Sequence, residues 1–525
     1  MASIVLTGFS ADDPVPGAYL QIDFAQGDAA GSGSPIEVLL MGNKTSGVAT
    51  VDTVVYGPDS ITPLQTEQDA ISLFGAGSEL HRMFRRFTKV NNNTTLRAIA
   101  VTESVGNQAT GTIRFVGTAT AAGTAKLYVH DEFVEVSIDN LDVASDIATE
   151  MATAVNRMAH WGVTASATAT GIWGFCTLSA KQKGPRGNDI RYMPQISPGI
   201  GMTVPTAVDL AMSGGSTSDS NTTALSTIYN SKYYYIVSAA WDSTQFDALS
   251  DQVSAVAAPT IGIRQRCIAG SVDTLGNTNT LATGRNSARA EIIWSEKNPW
   301  TPAELAANHA AIVTLFETKP NPRTNFAGFG NDAVTSPSWV VPRPRLDSAI
   351  PSRTSIKSAL NNGVSPIGVN ANGTTYLVNR ITTRSLNGST NDYRIRDAHK
   401  VTICDFFGED LLAKTNLNFS GKRIADDPPD GALPPGPDVV TPARYKSAVF
   451  GLLDVYNEND LLQDIDLIKA GTIVQRETSP RSRLSVRIPL RPVDNALQFA
   501  ILTQQVAAFL IGVGLAAAGV MNLFT

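Results

Sequence analysis

After Asp494 the chain carries no charge to its last residue, and Val506 to Met521 is apolar throughout. Such a segment has to be covered by the chain's own core, by a membrane or by another copy of the protein, because apolar surface left in water is costly. Just ahead of it, Leu484, Val486, Ile488 and Leu490 alternate with Arg483, Ser485 and Arg487, the period-2 pattern of a strand with one buried face. That strand is expected to complete a sheet of a terminal domain. The segment from Ala496 onward is the part expected to reach outward. Val506 to Met521 falls short of the roughly 20 residues that span a bilayer and has no Lys or Arg at its far end. A membrane-tethered, β-rich surface or adhesion protein anchored by this tail is the competing reading.

The start of the chain offers a counterpart. Leu20, Ile22 and Phe24 alternate with Tyr19, Gln21 and Asp23, between Asp12-Asp-Pro-Val-Pro-Gly17 and a Gly-, Ala- and Ser-rich loop from Gly27 to Ser34. Turn and linker signals isolate this strand, which then needs a sheet to join, its own or a neighbour's. Met1 to Pro14 lacks a basic n-region with a long apolar core, so synthesis in the cytoplasm is expected. The three cysteines, far apart, suit a reducing compartment and no Cys-based metal site.

Length predicts roughly three to four domains of about 100 to 200 residues, and 43% apolar content supplies their cores. Ile36 to Met41 reads as a buried strand, Phe74-Gly-Ala-Gly-Ser78 as the entry to a helix carrying Leu80, Met83, Phe84 and Phe87, with Ser78 as N-cap, and Leu96 to Val101 as a further strand. Between about Thr102 and Ser216 the composition shifts to Ala, Thr, Gly and Val. There Val134, Val136 and Ile138 line a strand, and Ile147, Met151, Val155 and Met158 follow at helical spacing. Ser213 to Ser220 is expected to be a flexible connector. From about Asn221 to Ile395 strands and helices alternate. Tyr233 to Val237, Ile261 to Ile268 and Thr375 to Ile381 read as strands, and Thr301-Pro-Ala-Glu304 is a capping box that opens a helix with Leu305, His309, Ile312 and Phe316 on one face. Asp426 to Pro442 holds six prolines and reads as an extended connector. Thr441-Pro442 then caps an amphipathic helix, followed by a second sheet from Ile465 and Leu467, Ile473 and Val474, and Leu484 to Leu490.

Catalytic constellations are thin. There is no His-Glu-x-x-His, Gly-x-Ser-x-Gly, Cys-x-x-Cys or Walker A sequence. Gly75-Ala-Gly-Ser78 lacks the rest of a phosphate loop. His130, His160 and His309 are expected to be surface or packed residues, and the pairs Asp426-Asp427 and Glu409-Asp410 to lie in solvated loops. No catalytic residue, cofactor or metal ligand is expected, and the chain is read as not an enzyme. Charged residues make up only 17%, the net charge is -6, and Lys and Arg are dispersed. No direct nucleic-acid binding is expected.

Short segments spread along the chain resemble contractile tail sheath proteins of Mu-like myophages and related contractile particles. Pro16-Gly-Ala-Tyr19 and Val38-Leu-Leu-Met-Gly42 are similar to that family's arm and first core strand, and Phe74 to Leu80 to its first helix. Thr110 to Thr124 with Lys183-Gly-Pro-Arg-Gly-Asn-Asp-Ile190 resemble its inserted domain. Ala359 to Ile367, Asn379-Arg-Ile-Thr-Thr383 and Val440-Thr-Pro-Ala-Arg444 resemble its core, and Ser479 to Pro489 its terminal strand. The resemblance implies a structural subunit that forms hexameric rings stacked helically around a tail tube protein, with baseplate and tail terminator proteins as further partners. It also implies contraction that drives the tube through the host envelope, and a location in the virion tail after assembly in the bacterial cytoplasm. The implied inter-subunit arm contacts are Tyr19, Leu20, Ile22 and Phe24 with Leu497, Phe499, Ile501, Val506 and Phe509. Leu484, Val486, Ile488 and Leu490 would form the terminal-domain sheet.

The expected architecture is therefore multidomain, α/β and α+β. It has an N-terminal arm (1–35), an α/β core with a partly parallel sheet (36–101 and 217–395), and an inserted β-rich α+β domain (102–216). A C-terminal domain (396–494) and a C-terminal arm (495–525) complete it.

Overall fold

Val38 to Met41 is apolar at consecutive positions, and a strand apolar on both faces has to be covered on both. The computed structural model describes residues 36–57, 64–206, 208–239, 242–317, 322–331, 339–388, 390–392, 396–430, 435–495 and 497. In it β1 (Glu37–Gly42) is buried from Val38 onward. The short β2 (Val54–Val55), the helices α1 (Glu67–Phe74) and α2 (Glu79–Thr88), and β3 (Thr95–Ala100) follow.

Next come β4 (Gln108–Val116), β5 (Gly123–Val129), β6 (Glu132–Ile138), α3 (Ala144–Arg157), β7 (Val163–Thr170), β8 (Trp173–Lys183), β9 (Arg191–Ile196) and β10 (Leu210–Ala211). Strand-helix alternation runs through α4 (Thr222–Ile228), β11 (Tyr235–Ala239), α5 (Ser243–Val256), β12 (Arg266–Ser271), α6 (Leu275–Arg285), β13 (Ala290–Trp294), α7 (Pro302–Phe316), α8 (Arg353–Asn361), β14 (Ser365–Val369) and β15 (Thr375–Leu377). The remaining elements are β16 (Leu386–Asn387), β17 (Thr390–Asn391), α9 (Ala398–Phe419), β18 (Arg423–Ile424), β19 (Val439–Val440), α10 (Pro442–Glu458), α11 (Ile465–Gly471), β20 (Ile473–Arg476) and β21 (Leu484–Arg487).

One eight-stranded sheet has the order β15-β14-β13-β12-β11-β1-β3-β2. Its neighbours from β3 to β14 are parallel, and the edge strands β2 and β15 are antiparallel. Successive residues of β1 serve opposite layers. Val38 and Leu40 pack with α1, α2 and α7, while Leu39 and Met41 pack with α4, α5 and α6. The strands between Gln108 and Ala211 form a three-stranded sheet, β4-β8-β7, and a four-stranded one, β10-β9-β5-β6, which share a hydrophobic cluster with α3. A further cluster joins α9, α10 and α11 with Val486, Ile488 and Leu490. The fold is thus mixed α/β, with a partly parallel sheet and several small sheets. Met1–Val493 form one compact unit. Asp494, Asn495 and Leu497 are the described residues outside it.

Several local expectations need correction. The strand expected over Ile261 to Ile268 begins only at Arg266, and that over Thr375 to Ile381 ends at Leu377. Ile465 and Leu467, read as strand because apolar and acidic residues alternate, lie in α11. Glu409 and Asp410 are not in a loop; they sit in α9, and Asp410 is buried. The helix α7 is not one-sided, since Pro302 to Thr314 are all buried and Ala303, Ala306, Ala307, Ala310 and Ala311 let it lie close against the sheet. Ser213 to Ser220 is pinned, with Thr110 N donating to Ser213 O (2.7 Å) and Asn107 N to Ser216 Oγ (3.1 Å). Arg423–Ile424 pairs in parallel with Val439–Val440, so the proline-rich stretch is tied at its end. Of the expected terminal-sheet residues, Leu484 and Val486 lie in β21, while Ile488 and Leu490 follow it. β21 pairs only with β20 among the described residues.

In the eight-stranded sheet a helix approaches closely at Gly270 of β12, where a Cβ would stand 2.0 Å from the Pro302 carbonyl oxygen. Backbone cannot move away as a side chain could. Gly270→Ala is therefore expected to cost roughly 1–3 kcal/mol in urea unfolding. Gly276→Ala, where an added methyl meets nothing within 4 Å, should be neutral or slightly stabilising.

Candidate functional site at the buried arginine junctions

Chain connections leave β1 toward β3 and leave β11 toward β12, in opposite directions across the sheet. Open parallel sheets place ligands outside the carboxyl ends of the strands at such a switch point. Here the position is filled by the chain itself. Asn43, just past β1, donates its backbone N–H to Glu79 Oε2 (2.9 Å), and Glu79 opens α2 behind its N-cap Ser78. Onto this carboxylate comes Arg186, from the 3-10 turn Pro185–Asp189 that links β8 to β9. Its other terminal nitrogen donates to Gln245 Oε1 of α5 (3.0 Å) and stands 3.3 Å from Asp219. Gln245 is held in turn by its own Nε2 donating to Asp219 Oδ1 (2.8 Å). Arg186, Glu79, Asp219 and Gln245 are all buried. Although burial opposes its charge, the surrounding Glu79 and Asp219 carboxylates raise the Arg186 pKa above the ordinary arginine value.

A second junction is built on the capping box. Glu304 receives the Thr301 backbone N–H (3.1 Å), and its two oxygens also face Arg82 (3.1 Å) and Arg86 (3.1 Å) of α2. Arg86 continues to Asp131 in the β5–β6 turn through two bonds (3.2 and 2.5 Å) and stacks 4.2 Å over the Trp300 ring. His130, beside it in a left-handed conformation, lies 3.7 Å from Glu304 and is buried. Glu132 accepts from Trp161 Nε1 (2.9 Å) and Arg85 (3.1 Å) and bonds His160 (2.5 Å). These contacts, His160 foremost, bring its carboxyl down to about 2. Arg345 adds a strut, donating to Asp209 Oδ1 (2.8 Å) and to the His130 carbonyl.

The third junction joins α9 to the sheet. Arg380 forks onto Glu291 of β13 with two bonds of 2.7 Å, reaches Glu317 (2.5 Å) and donates to the Tyr235 hydroxyl (2.8 Å). Arg266 of β12 completes Glu317 (3.2 Å) and donates to Thr402 Oγ1 of α9 (2.7 Å). Nearby, Arg289 forks onto Asp405 of α9 (2.9 and 2.8 Å). Burial alone would raise the Glu291 and Glu317 carboxyls, but Arg380 together with Arg266 and the hydrogen bonds to these carboxylates brings both below the usual range. Two arginines face two glutamates, so the cluster is balanced. His309 Nε2 stands 3.6 Å from Glu291 without a hydrogen bond. Among the described residues no group of three or more His, Cys, Asp or Glu is arranged to hold a metal ion.

None of these junction arginines was singled out for a role from sequence, yet Arg186 and Arg380 lie inside segments already quoted, Lys183 to Ile190 and Asn379 to Thr383. The expected arm contacts Tyr19, Leu20, Ile22, Phe24, Phe499, Ile501, Val506 and Phe509 lie outside the described residues, and Leu497 is exposed.

No family model matches the chain. A curated Mu-like prophage FluMu tail sheath protein from Haemophilus influenzae is 24% identical over 484 residues, covering 90% of this chain and 93% of its own length. The chain is related to the Mu-like tail sheath proteins. Among solved structures, the sheath tail protein of Desulfitobacterium hafniense covers 91% of this chain and 97% of its own at 11% identity, with a TM-score of 0.46. The sheath complex of an extracellular contractile injection system in its contracted state covers 94% and 98% at 9% identity, with a TM-score of 0.45.

Breaking a buried pair strands a charge. Arg380→Ala is expected to destabilise the protein by about 3–5 kcal/mol in urea unfolding, and Arg380→Lys by much of that, because an ammonium cannot reproduce the fork.

Acid should act earlier, through histidines. Burial lowers His81 and His130 to about 4, and lowers His309 and His399 as well. An unfolded imidazole titrates near 6.5. With folded values below unfolded ones, the unfolded state gains protons first as pH falls. This contribution is complete above about pH 6.5 and is lost progressively toward pH 4. The unfolding free energy from urea titrations should fall steadily across that window, by on the order of 2 kcal/mol per fully buried histidine at about pH 4.5. His130→Asn should flatten the slope, and an unchanged slope would count against this account.

Proposed function

We propose that this protein is the structural subunit of a contractile tail sheath of a phage or phage-like injection system, with no catalytic role. The observation that carries the reading is the relationship to a Mu-like tail sheath protein along 90% of the chain and 93% of the relative. In the finer form of the proposal, copies assemble as hexameric rings stacked helically around a tail tube and change their packing on contraction, driving the tube through the host envelope. Baseplate and tail terminator proteins cap the stack, which is assembled in the host cytoplasm.

The geometry supports a subunit that moves as a body. Buried arginine junctions tie the segment from Gln108 to Ala211, and α9, to the eight-stranded sheet. We further propose that the chain divides at 1–35, 36–101 with 217–395, 102–216, 396–494 and 495–525. In this division the two end segments exchange strands with neighbouring subunits. Among the described residues the β20–β21 sheet has two strands, and strand addition is the chemistry by which such a sheet is extended. Each added main-chain hydrogen bond is worth about 1 kcal/mol net. As for the membrane-tethered alternative, no described helix is long and apolar enough to cross a membrane.

Electron micrographs of the purified protein are expected to show rings, tubes or sheaths. Deleting residues 1–33, or everything after Asp494, should leave thermal unfolding of the rest nearly unchanged while abolishing these polymers. Normal polymers from either truncation would overturn the strand-exchange mechanism, and persistent monomers of the intact chain across conditions would overturn the sheath assignment.

A further inference from the structure

We propose that the switch-point crevice of the sheet is a guanidinium-binding site whose ligand is supplied in cis by Arg186. The acceptors of the crevice are oriented by contacts that do not involve Arg186. Glu79 is oriented by the Asn43 N–H (2.9 Å), and Gln245 is turned by Asp219 so that its Oε1 faces inward. Asp242 caps α5 by accepting the Gln245 N–H (2.9 Å) and adds a third carboxylate to the field around Arg186. Three separate parts of the chain, the end of β1 with α2, the loop before α4, and the first turn of α5, thus present acceptors that converge on one planar cation.

The guest arrives on a different part of the chain. Arg186 sits on the turn between β8 and β9, whose sheets carry their own hydrophobic cluster. The positions of the acceptors match a fork and not a point charge. One terminal nitrogen meets Glu79, the other meets Gln245 (3.0 Å) and Asp219 (3.3 Å). An ammonium could satisfy one of these directions but not both sides of the plane. The site therefore resembles a ligand pocket in construction, and its occupancy helps to seat the Gln108–Ala211 segment, beside the Arg86–Asp131, Arg85–Glu132 and Arg345–Asp209 ties. The covalent ties of this segment to the sheet are the two connectors around residues 102–107 and 212–220, which run together through Ser104 and Ser216. This inference does not depend on what the subunit assembles into.

The test is chemical rescue of the full chain. Arg186→Ala should lower the melting temperature by several degrees. Methylguanidinium at millimolar concentration should restore most of the loss, saturably, while methylammonium at equal ionic strength should not, and the wild-type protein should gain nothing from either. A variant that melts like wild type, or one rescued equally by both cations, would overturn the proposal. Should Arg186→Ala yield no soluble protein, Arg186→Lys provides the second arm. Limited proteolysis should then cut residues 102–107 and 212–220 at least several-fold faster than in wild type, and cutting at the wild-type rate would overturn it.

Discussion

A guanidinium taken out of water has to carry its counter-charge with it, and in this protein that rule decides how the parts of the chain meet. Arg186, Arg266 and Arg380 are almost wholly buried, and each is matched by carboxylates from a different stretch of sequence. Replacing such pairs with well-packed apolar groups would often be no less stable. What an apolar seam lacks is direction. Leu and Ala surfaces can slide by a fraction of a residue at little cost, whereas Arg380, bonded at once to Glu291, Glu317 and Tyr235, fits one placement only. The ionic junctions accordingly fix relative position, while the hydrophobic clusters on either side of the sheet supply the bulk of the driving force.

The same rule explains where polar residues occur in the most apolar helix. α7 is buried from Pro302 to Thr314, so its free N-terminal amides cannot turn to water. Thr301 and Glu304 satisfy them, and the Glu304 carboxylate is then buried with charge to spare. Arg82 and Arg86 supply the balance, and Arg86 passes the tie on to Asp131. A helix cap thereby becomes the pivot between α2, α7 and the β5–β6 turn. One carboxylate performs both tasks because burial leaves no solvent to perform either.

This doubling is where sequence reading stops. The capping box, the N-cap Ser78, the buried first strand and the Thr441-Pro442 start of α10 were all legible, because caps and periodicity act over a few residues. Glu304 as a partner of Arg82 was not, since the two are 222 positions apart. The helix α9 escaped notice for a related reason. Its first half is buried on nearly every side, so Asp405 and Asp410 interrupt the apolar pattern that would mark an amphipathic stripe. Ile465 and Leu467 misled in the other direction, since three alternating residues fit a strand as well as one turn of helix. Arg266 in a strand and Arg380 between elements look like surface residues until the carboxylates opposite them are known.

The switch point carries the argument one step further. In an open parallel sheet it is the place where the strands leave a natural cleft, and a cleft is useful to a protein that binds and releases something. In the sheath role proposed above, in which displacement passes from one subunit to the next, the opposite is of service, since any gap that can open absorbs motion that should be transmitted. Filling the cleft with Arg186 removes the gap and, because the arginine comes from a segment more than 100 residues away from Glu79 in the chain, adds a tie between two parts of the fold that are distant in sequence. The fold keeps its binding geometry, and the geometry is turned inward, toward the chain itself.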